Sequence, residues 1–156
     1  MEIKEFLVPE AVKLNLKVTN KKQALQELSR AAHVHSGANE GDILDVLIER
    51  ERLGTTGIGR GVAIPHGKIV SLDHLCAVFA RLESPINFDS VDEESVDLIF
   101  LLLAPLSQEH IHLKALAKIS RLLRSETMCA KLRGSTSADA LYALLVEAQT
   151  ERNTNR

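Results

Sequence analysis

The sequence "GTTGIGRGVAIPHGK", Gly54 to Lys68, holds five of the chain's eight glycines, next to a proline and a histidine. Glycine loses more conformational freedom on folding than any other residue, so a cluster of glycines indicates a backbone held where side chains would clash. Such a segment is typical of a nucleotide-binding loop, a metal site, a site with a reactive histidine, or a plain junction between a strand and a turn.

The apolar patterns on either side of this segment predict the secondary structure. In chain order the predicted elements are a strand at 12–18, helices at 20–37 and 39–53, strands at 62–64, 76–82 and 96–105, and helices at 107–124, 126–133 and 137–149. Ser107 is expected to cap the first helix of the last group. This order lacks the regular strand–helix alternation of a doubly wound parallel sheet.

The run "VDLIFLLLAP" at 96–105 is the most apolar in the chain and predicts a buried central strand. The residues at 83–95 are typical of a loop, which suits an antiparallel pair between the strands on either side. We therefore expect an α/β fold: a single domain at 1–150 with a mixed β-sheet flanked by helices. The residues at 151–156 are expected to form a frayed C-terminal tail.

The composition of the 156 residues narrows the possible partners. The net charge of −2 argues against nucleic acid, whose phosphates are usually bound by a basic surface. The two cysteines, Cys76 and Cys129, form no disulfide framework and suit a reducing compartment. The start of the chain has no signal pattern, and no apolar run approaches the ~18 residues of a membrane span. We therefore predict a cytoplasmic protein without membrane insertion.

Known nucleotide-binding motifs do not fit the glycine-rich segment. The Walker A motif needs a hydroxyl residue after its Gly-Lys pair, but Ile69 follows Gly67-Lys68. The dinucleotide motif G-x-G-x-x-G fails because Val62 stands where its third glycine belongs.

Metal binding is also disfavoured by spacing. Four of the six histidines form two pairs with the pattern H-x-H, His33/His35 and His110/His112. Both pairs fall in predicted helices or helix ends. Residues two apart on a helix point to nearly opposite sides, so the rings of each pair do not converge. No Cys-x-x-Cys or His-Glu-x-x-His motif accompanies them. We expect no bound metal.

A reactive histidine fits the segment better. Pro65 pushes the residue before it into extended geometry and gives no ladder donor, so the strand is expected to end there. Gly67 is then expected to turn the backbone away and leave His66 at the strand end. A neutral imidazole can act as a nucleophile near pH 7. The alternative is a surface histidine in an ordinary turn.

Helical spacing places His112 on the inward face of the predicted helix 107–124, with Ala115 and Ile119. His110 lies nearer the outside. The positive end of the helix dipole disfavours protonation of His112 and favours an anion nearby. His66 and His112 could together hold a phosphoryl group, although a satisfied core histidine remains the alternative for His112.

A phosphoryl group also calls for a guanidinium. Three arginines precede or lie within the glycine-rich segment. Arg50 falls on the buried side of its helix, Arg52 leans toward solvent, and Arg60 lies in the segment itself. The alternative for the run "ERER" is a solvated helix face.

Two longer stretches, "LIERERLGTTGIGRGVAIPHGKI" and "LLAPLSQEHIHLKALAKISRLL", resemble the enzyme IIA domains of the bacterial phosphotransferase system, fructose–mannitol class. The glycine-rich segment is most similar to the nitrogen-regulatory branch of that class. The remaining elements agree with the family in order and length, so the resemblance implies its mixed-sheet fold.

The resemblance also implies roles for individual residues. His66 would be phosphorylated on Nε2, His112 would lie beside it, and Arg50 would help to hold the phosphoryl group. Arg60 departs from the small or polar residue common near that position and is kept as a second phosphate-binding candidate. No metal, nucleotide or organic cofactor is implied.

The implied activity is that of a phosphohistidine phosphocarrier, a phosphotransferase component. It would accept the phosphoryl group by in-line transfer from a small carrier protein of the HPr or NPr kind, and regulatory target proteins would respond to its phosphorylation state. One alternative is a sugar-specific enzyme IIA that passes the group to a transporter's IIB domain. A metal-dependent hydrolase using His66 and His112 is the other.

Overall fold

The computed structural model describes the backbone of residues 1–154 and the side chains of residues 1–147. The expected tail at 151–156 falls outside the described side chains and stays a prediction. Short 3₁₀ helices occur at Ile3–Glu5 and Pro9–Ala11. The longer elements are β1 (Val12–Leu16), α1 (Lys21–Ser36), α2 (Glu40–Arg52), β2 (Gly57–Gly59), β3 (Val62–Ala63), β4 (His66–Ile69), β5 (Cys76–Ile86), β6 (Val96–Pro105), α3 (Glu109–Leu123), α4 (Glu126–Gly134) and α5 (Ala138–Thr154).

The described residues form a six-stranded mixed sheet in the order β1-β5-β6-β3-β2, with β4 also paired to β6. β5 and β6 are antiparallel, from Cys76 opposite Leu103 to Ile86 opposite Val96. β1 runs parallel to β5, while β3 and β4 both run parallel to β6. The predicted mixed sheet and the antiparallel pair are therefore confirmed.

β6 is the centre of the core. Every residue of this strand except Asp97 is buried, as predicted from its apolar run. Phe100 on β6 packs edge to face against Phe79 on β5, with ring centroids 6.0 Å apart. Because β6 has partners on both sides, its position sets the positions of the strands around it.

Three helix ends fall at the bounds of the predicted helices 20–37 and 39–53. Asn20 and Asn39 cap α1 and α2 by accepting hydrogen bonds from Gln23 N–H and Asp42 N–H. Gly37 ends α1 with a left-handed φ of 76°. The prediction for Ser107 was wrong: it lies in the turn after β6, and Gln108 is the N-cap residue of α3, with no side-chain cap bond to described residues.

The sequence did not predict β2, the first strand of the glycine-rich segment, whereas β3 falls within the predicted strand at 62–64. β2 and β3 form a hairpin in which Gly59 lies opposite Val62. The two residues between them, Arg60 and Gly61, have left-handed φ values of 57° and 81°. Such a two-residue turn matches the twist of paired strands, which explains the glycine here.

β4 corrects the prediction for Gly67. β3 stops at Ala63, but the chain does not turn away after Pro65. It continues along β6, with His66 opposite Leu102 and Gly67 opposite Leu103. His66 is therefore the first residue of a strand.

The reason for a glycine at 67 is the close approach of α2. A Cβ atom on Gly67 would lie 2.3 Å from Cγ1 of Val46 on that helix. The bare backbone of β4 thus lets α2 pack directly onto it. Arg50, one turn further along α2, is carried toward His66 by the same contact.

Gly67→Ala is expected to lower the free energy of unfolding by roughly 1–3 kcal/mol, because the added methyl group overpacks the contact with Val46. Urea unfolding measures the change. Val46→Ala should restore part of the loss in the double variant. Gly134→Ala is the matched control, since its Cβ meets nothing within 4 Å. A Gly67→Ala variant as stable as the parent would contradict this account of the contact.

Candidate functional site

A cavity of about 330 Å³ opens between the end of α2, β4 and the first turns of α3. Both histidines singled out in the sequence line it, together with one of the arginines. The lining residues are Arg50, His66, Gly67, Lys68, Glu109, His112, Leu113 and Leu116.

The backbone determines the tautomer of His66. Its Nδ1 lies 2.8 Å from the carbonyl oxygen of Ile64. A carbonyl oxygen only accepts, so Nδ1 carries the proton and donates it to this bond. Nε2 is therefore unprotonated, and it accepts a hydrogen bond from Arg50 Nε at 3.3 Å. The nitrogen with the free electron pair is thus the one beside the guanidinium.

Arg50 is fixed at both ends of its guanidinium. Its Nη1 donates to the carbonyl oxygen of Gly54 at 2.9 Å, while its Nε faces His66. Arg52, two residues later, pairs instead with Glu49 and its side chain is 71% exposed. The prediction that Arg50 turns inward and Arg52 outward is confirmed.

His112 is 4% exposed, whereas His110 is exposed, as the spacing predicted. The rings of His112 and His66 lie with their centroids 5.6 Å apart and their planes inclined at 66°. Neither ring nitrogen of His112 has a hydrogen-bond partner in the described part of the chain. Buried polar atoms normally have partners, and no described residue supplies one to this ring.

Burial shifts both histidines toward the neutral form. The pKa of His112 is lowered to about 4, chiefly by burial and to a smaller extent by the nearby His66 and Lys68. Burial is also the largest cause of the lowered pKa of His66, followed among the lowering causes by the positive charge of Arg50. The hydrogen bond to Ile64 and the charge of Glu51 act in the opposite direction on the pKa of His66. Both rings are accordingly neutral near pH 7.

Lys68 and Glu109 form an ion pair at the cavity and were not identified from the sequence. Lys68 follows His66 by two residues on β4, so both side chains point to the same face of the strand. Glu109 is the first residue of α3. The sequence could have indicated Lys68, because residues two apart on a strand share a face, but only if a strand were known to begin at His66.

Arg60 does not lie at this cavity. It lines another, with Arg124, Glu126 and others, and its Nη1 lies 3.5 Å from a Glu126 carboxylate oxygen. Gly61 pairs with β6 at Asp97, whereas Pro65 pairs at Leu102.

Asp97 and Leu102 are five residues apart on the extended strand β6, so these two pairing positions lie about 16 Å apart. Arg60 stands at the tip of the β2–β3 hairpin, which points away from His66. The candidate phosphate contact of Arg60 is therefore corrected, because closeness in sequence was not closeness in space.

The other expected features concern metals and membranes. Within the described residues, no group of three or more His, Cys, Asp or Glu side chains is arranged to hold a metal ion. His33 contacts the Ala38 carbonyl oxygen through Nδ1 at 2.6 Å, at the end of α1. None of the helices described here combines the length and the apolar character needed to cross a bilayer.

The free energy of unfolding should fall as the pH drops from about 6.5 toward 4. An unfolded histidine takes up a proton near pH 6.5, but folded His112 does so only near pH 4. The unfolded state thus binds more protons in this window and gains stability. Urea unfolding across this range should show a smaller fall in His112→Gln. An equal fall in both proteins would contradict the lowered pKa.

Comparison with known proteins agrees with this fold. The family model "Phosphoenolpyruvate-dependent sugar phosphotransferase system, EIIA 2" matches residues 5–148. The chain is 52% identical over 145 residues to a nitrogen regulatory protein of Bradyrhizobium diazoefficiens, covering 93% of this chain and 95% of that protein.

Solved structures give the same result. The nitrogen regulatory protein IIA-Ntr from Neisseria meningitidis superposes with a TM-score of 0.88 at 33% identity, over 92% of this chain and 99% of that one. IIA mannitol from Escherichia coli shares the fold, with a TM-score of 0.74 at 21% identity over 89% and 98% of the two chains. The chain therefore belongs to the EIIA 2 family of the sugar phosphotransferase system and is a phosphotransferase component.

Proposed function

We propose that the chain accepts a phosphoryl group on Nε2 of His66 from the phosphohistidine of a small carrier protein of the HPr or NPr kind. One observation carries the proposal: the hydrogen bond from Nδ1–H to Ile64 O leaves Nε2 with a free electron pair, beside Arg50. No proton has to leave Nε2 before it attacks phosphorus.

The transfer exchanges one P–N bond for another. The bond between phosphorus and the carrier's imidazole breaks, and its electron pair returns to that ring. The electron pair of His66 Nε2 forms the new bond. Positive charge then develops on the His66 ring, and the Nδ1–H bond to the Ile64 carbonyl oxygen stabilises it.

Arg50 and His112 would stabilise the phosphoryl oxygens. The Arg50 guanidinium already reaches Nε2, and a guanidinium suits phosphoryl oxygens in charge and geometry. His112 is neutral, so one of its ring nitrogens carries a proton that has no acceptor among the described residues. A phosphoryl oxygen on His66 would supply that acceptor.

The physiological role we propose is regulatory. Phosphorylation adds a charge of about −1.5 to −2, which can create or break contacts with partner proteins. The nitrogen regulatory protein of Bradyrhizobium diazoefficiens is similar over nearly its whole length, which supports this branch. The alternative is a sugar-specific role, in which the group passes on to a transporter's IIB domain. Both roles are cytoplasmic.

His66→Ala is expected to abolish labelling by a radioactive phosphorylated carrier, because no other residue replaces Nε2. His110→Ala, an exposed histidine two residues before His112, is the control and should be labelled normally. Labelling of His66→Ala to the level of the parent would refute the proposed acceptor.

His112→Ala and Arg50→Lys are each expected to slow transfer by roughly ten- to a hundredfold, since each loses a hydrogen bond to a charged group worth about 1.5–3 kcal/mol. Quenched-flow transfer rates measure the effect, and circular dichroism checks that the fold is retained. An unchanged rate in His112→Ala would make His112 a packing residue only.

The regulatory role predicts partners that distinguish the two states. Target proteins captured on the parent chain, on His66→Ala and on the charge mimic His66→Asp should differ between the last two variants. Identical partners on both would argue against regulation. Transfer from the labelled chain to a sugar-specific IIB domain would favour the alternative.

A further inference from the structure

The charges at the cavity around His66 do not balance once His66 is phosphorylated. Two permanent cations, Arg50 and Lys68, and one carboxylate, Glu109, line it together with the two neutral histidines. A phosphoryl group brings about −1.5 to −2 charges. With Glu109 still holding Lys68, only Arg50 would face that charge.

Lys68 is placed to respond. Its backbone is paired to β6 in the same register as His66, with His66 opposite Leu102 and Lys68 opposite Ala104. Both side chains leave the same face of β4, so the lysine stem starts about 6–7 Å from the histidine. Four flexible carbons then allow the ammonium group to swing between neighbouring acceptors.

The ion pair between Lys68 and Glu109 is weak enough to break. The side chain of Glu109 is 55% exposed and that of Lys68 is 33% exposed. Ion pairs this open to solvent contribute only about 0–1 kcal/mol. Glu109 also lies in the first turn of α3, where the positive end of the helix dipole stabilises a carboxylate without a lysine.

We propose that Lys68 is a second phosphoryl-binding residue and that Glu109 restrains it, so that phosphorylation of His66 draws Lys68 from Glu109 to the phosphoryl oxygens. The exchange rests on the proposed function, because it needs a phosphoryl group on His66. It makes and breaks no covalent bond. It also frees the Glu109 carboxylate at the mouth of the cavity, beside the exposed Leu113.

The freed carboxylate gives the regulatory role a structural signal. In the unphosphorylated chain the mouth of the cavity presents a neutral Lys68–Glu109 pair next to an apolar side chain. After the exchange it presents an unpaired negative charge there. A partner protein can thus distinguish the two states at the surface, although the phosphoryl group itself lies in the cavity.

The test is the equilibrium ratio of phosphorylated chain to phosphorylated carrier, measured with radioactive phosphate. Lys68→Gln should lower this ratio about tenfold, the loss of one hydrogen bond to a charged group. Glu109→Gln should raise it about threefold, because Lys68 is no longer restrained. In the double variant the effect of Glu109→Gln should vanish, leaving the ratio of Lys68→Gln.

Two controls keep the result interpretable. Lys114→Gln removes an exposed lysine of α3 that lines a different cavity, and should leave the ratio unchanged. Lys68→Arg keeps the charge and should retain most of the ratio. Urea unfolding of each variant verifies that the fold is intact.

Two outcomes would refute this inference while leaving the proposed function intact, and a third would refute both. If the parent chain is phosphorylated but Lys68→Gln gives the parent's ratio, the lysine does not bind the phosphoryl group. If Glu109→Gln lowers the ratio as Lys68→Gln does, the intact ion pair supports the site and no exchange occurs. If the parent accepts no phosphoryl group at all, the proposed function fails and this inference fails with it.

Discussion

The close contact between Gly67 and Val46 is the constraint on which the site depends. A side chain at 67 would hold α2 away from β4, since even a Cβ atom would lie 2.3 Å from Val46. With the glycine, the helix reaches the strand, and Arg50 at its end comes within 3.3 Å of His66. β4 also pairs with β6. β6 leads directly into the turn before α3, and His112 lies in the first turns of that helix.

Around this contact the protein separates a fixed part of the site from an adjustable part. His66 and Arg50 are held by backbone carbonyl oxygens, of Ile64 and Gly54, whose positions follow from the strand and the helix end. Such preorganised groups need no rearrangement when charge develops. Among the described residues, Lys68 and Glu109 have only each other as side-chain partners, and both are partly exposed to solvent. Rigid groups suit the chemistry, and loosely held ones suit a response to it.

Much of the fold was predictable because it depends on local patterns. The apolar run of β6, the helix starts at Asn20 and Asn39, and the inward face of α3 at His112 each depend on residue types within or next to a single element. The error at β4 arose because a strand far away in sequence determined the local structure. Pro65 indicated the end of a strand, but β6 offered pairing beyond it, and β4 formed.

The sequence by itself determined which chemistry was available: a histidine after proline in the glycine-rich segment, an inward histidine on α3 and an arginine on the buried side of α2. Residue type and helical spacing are local properties, so these could be read directly. Only the tertiary structure decided which groups share the cavity. It excluded Arg60, because the β2–β3 turn pairs with β6 about 16 Å from the position where Pro65 pairs. It added Lys68 and Glu109, which line the cavity. Distances between elements depend on strand register and helix packing, which no short stretch of sequence records.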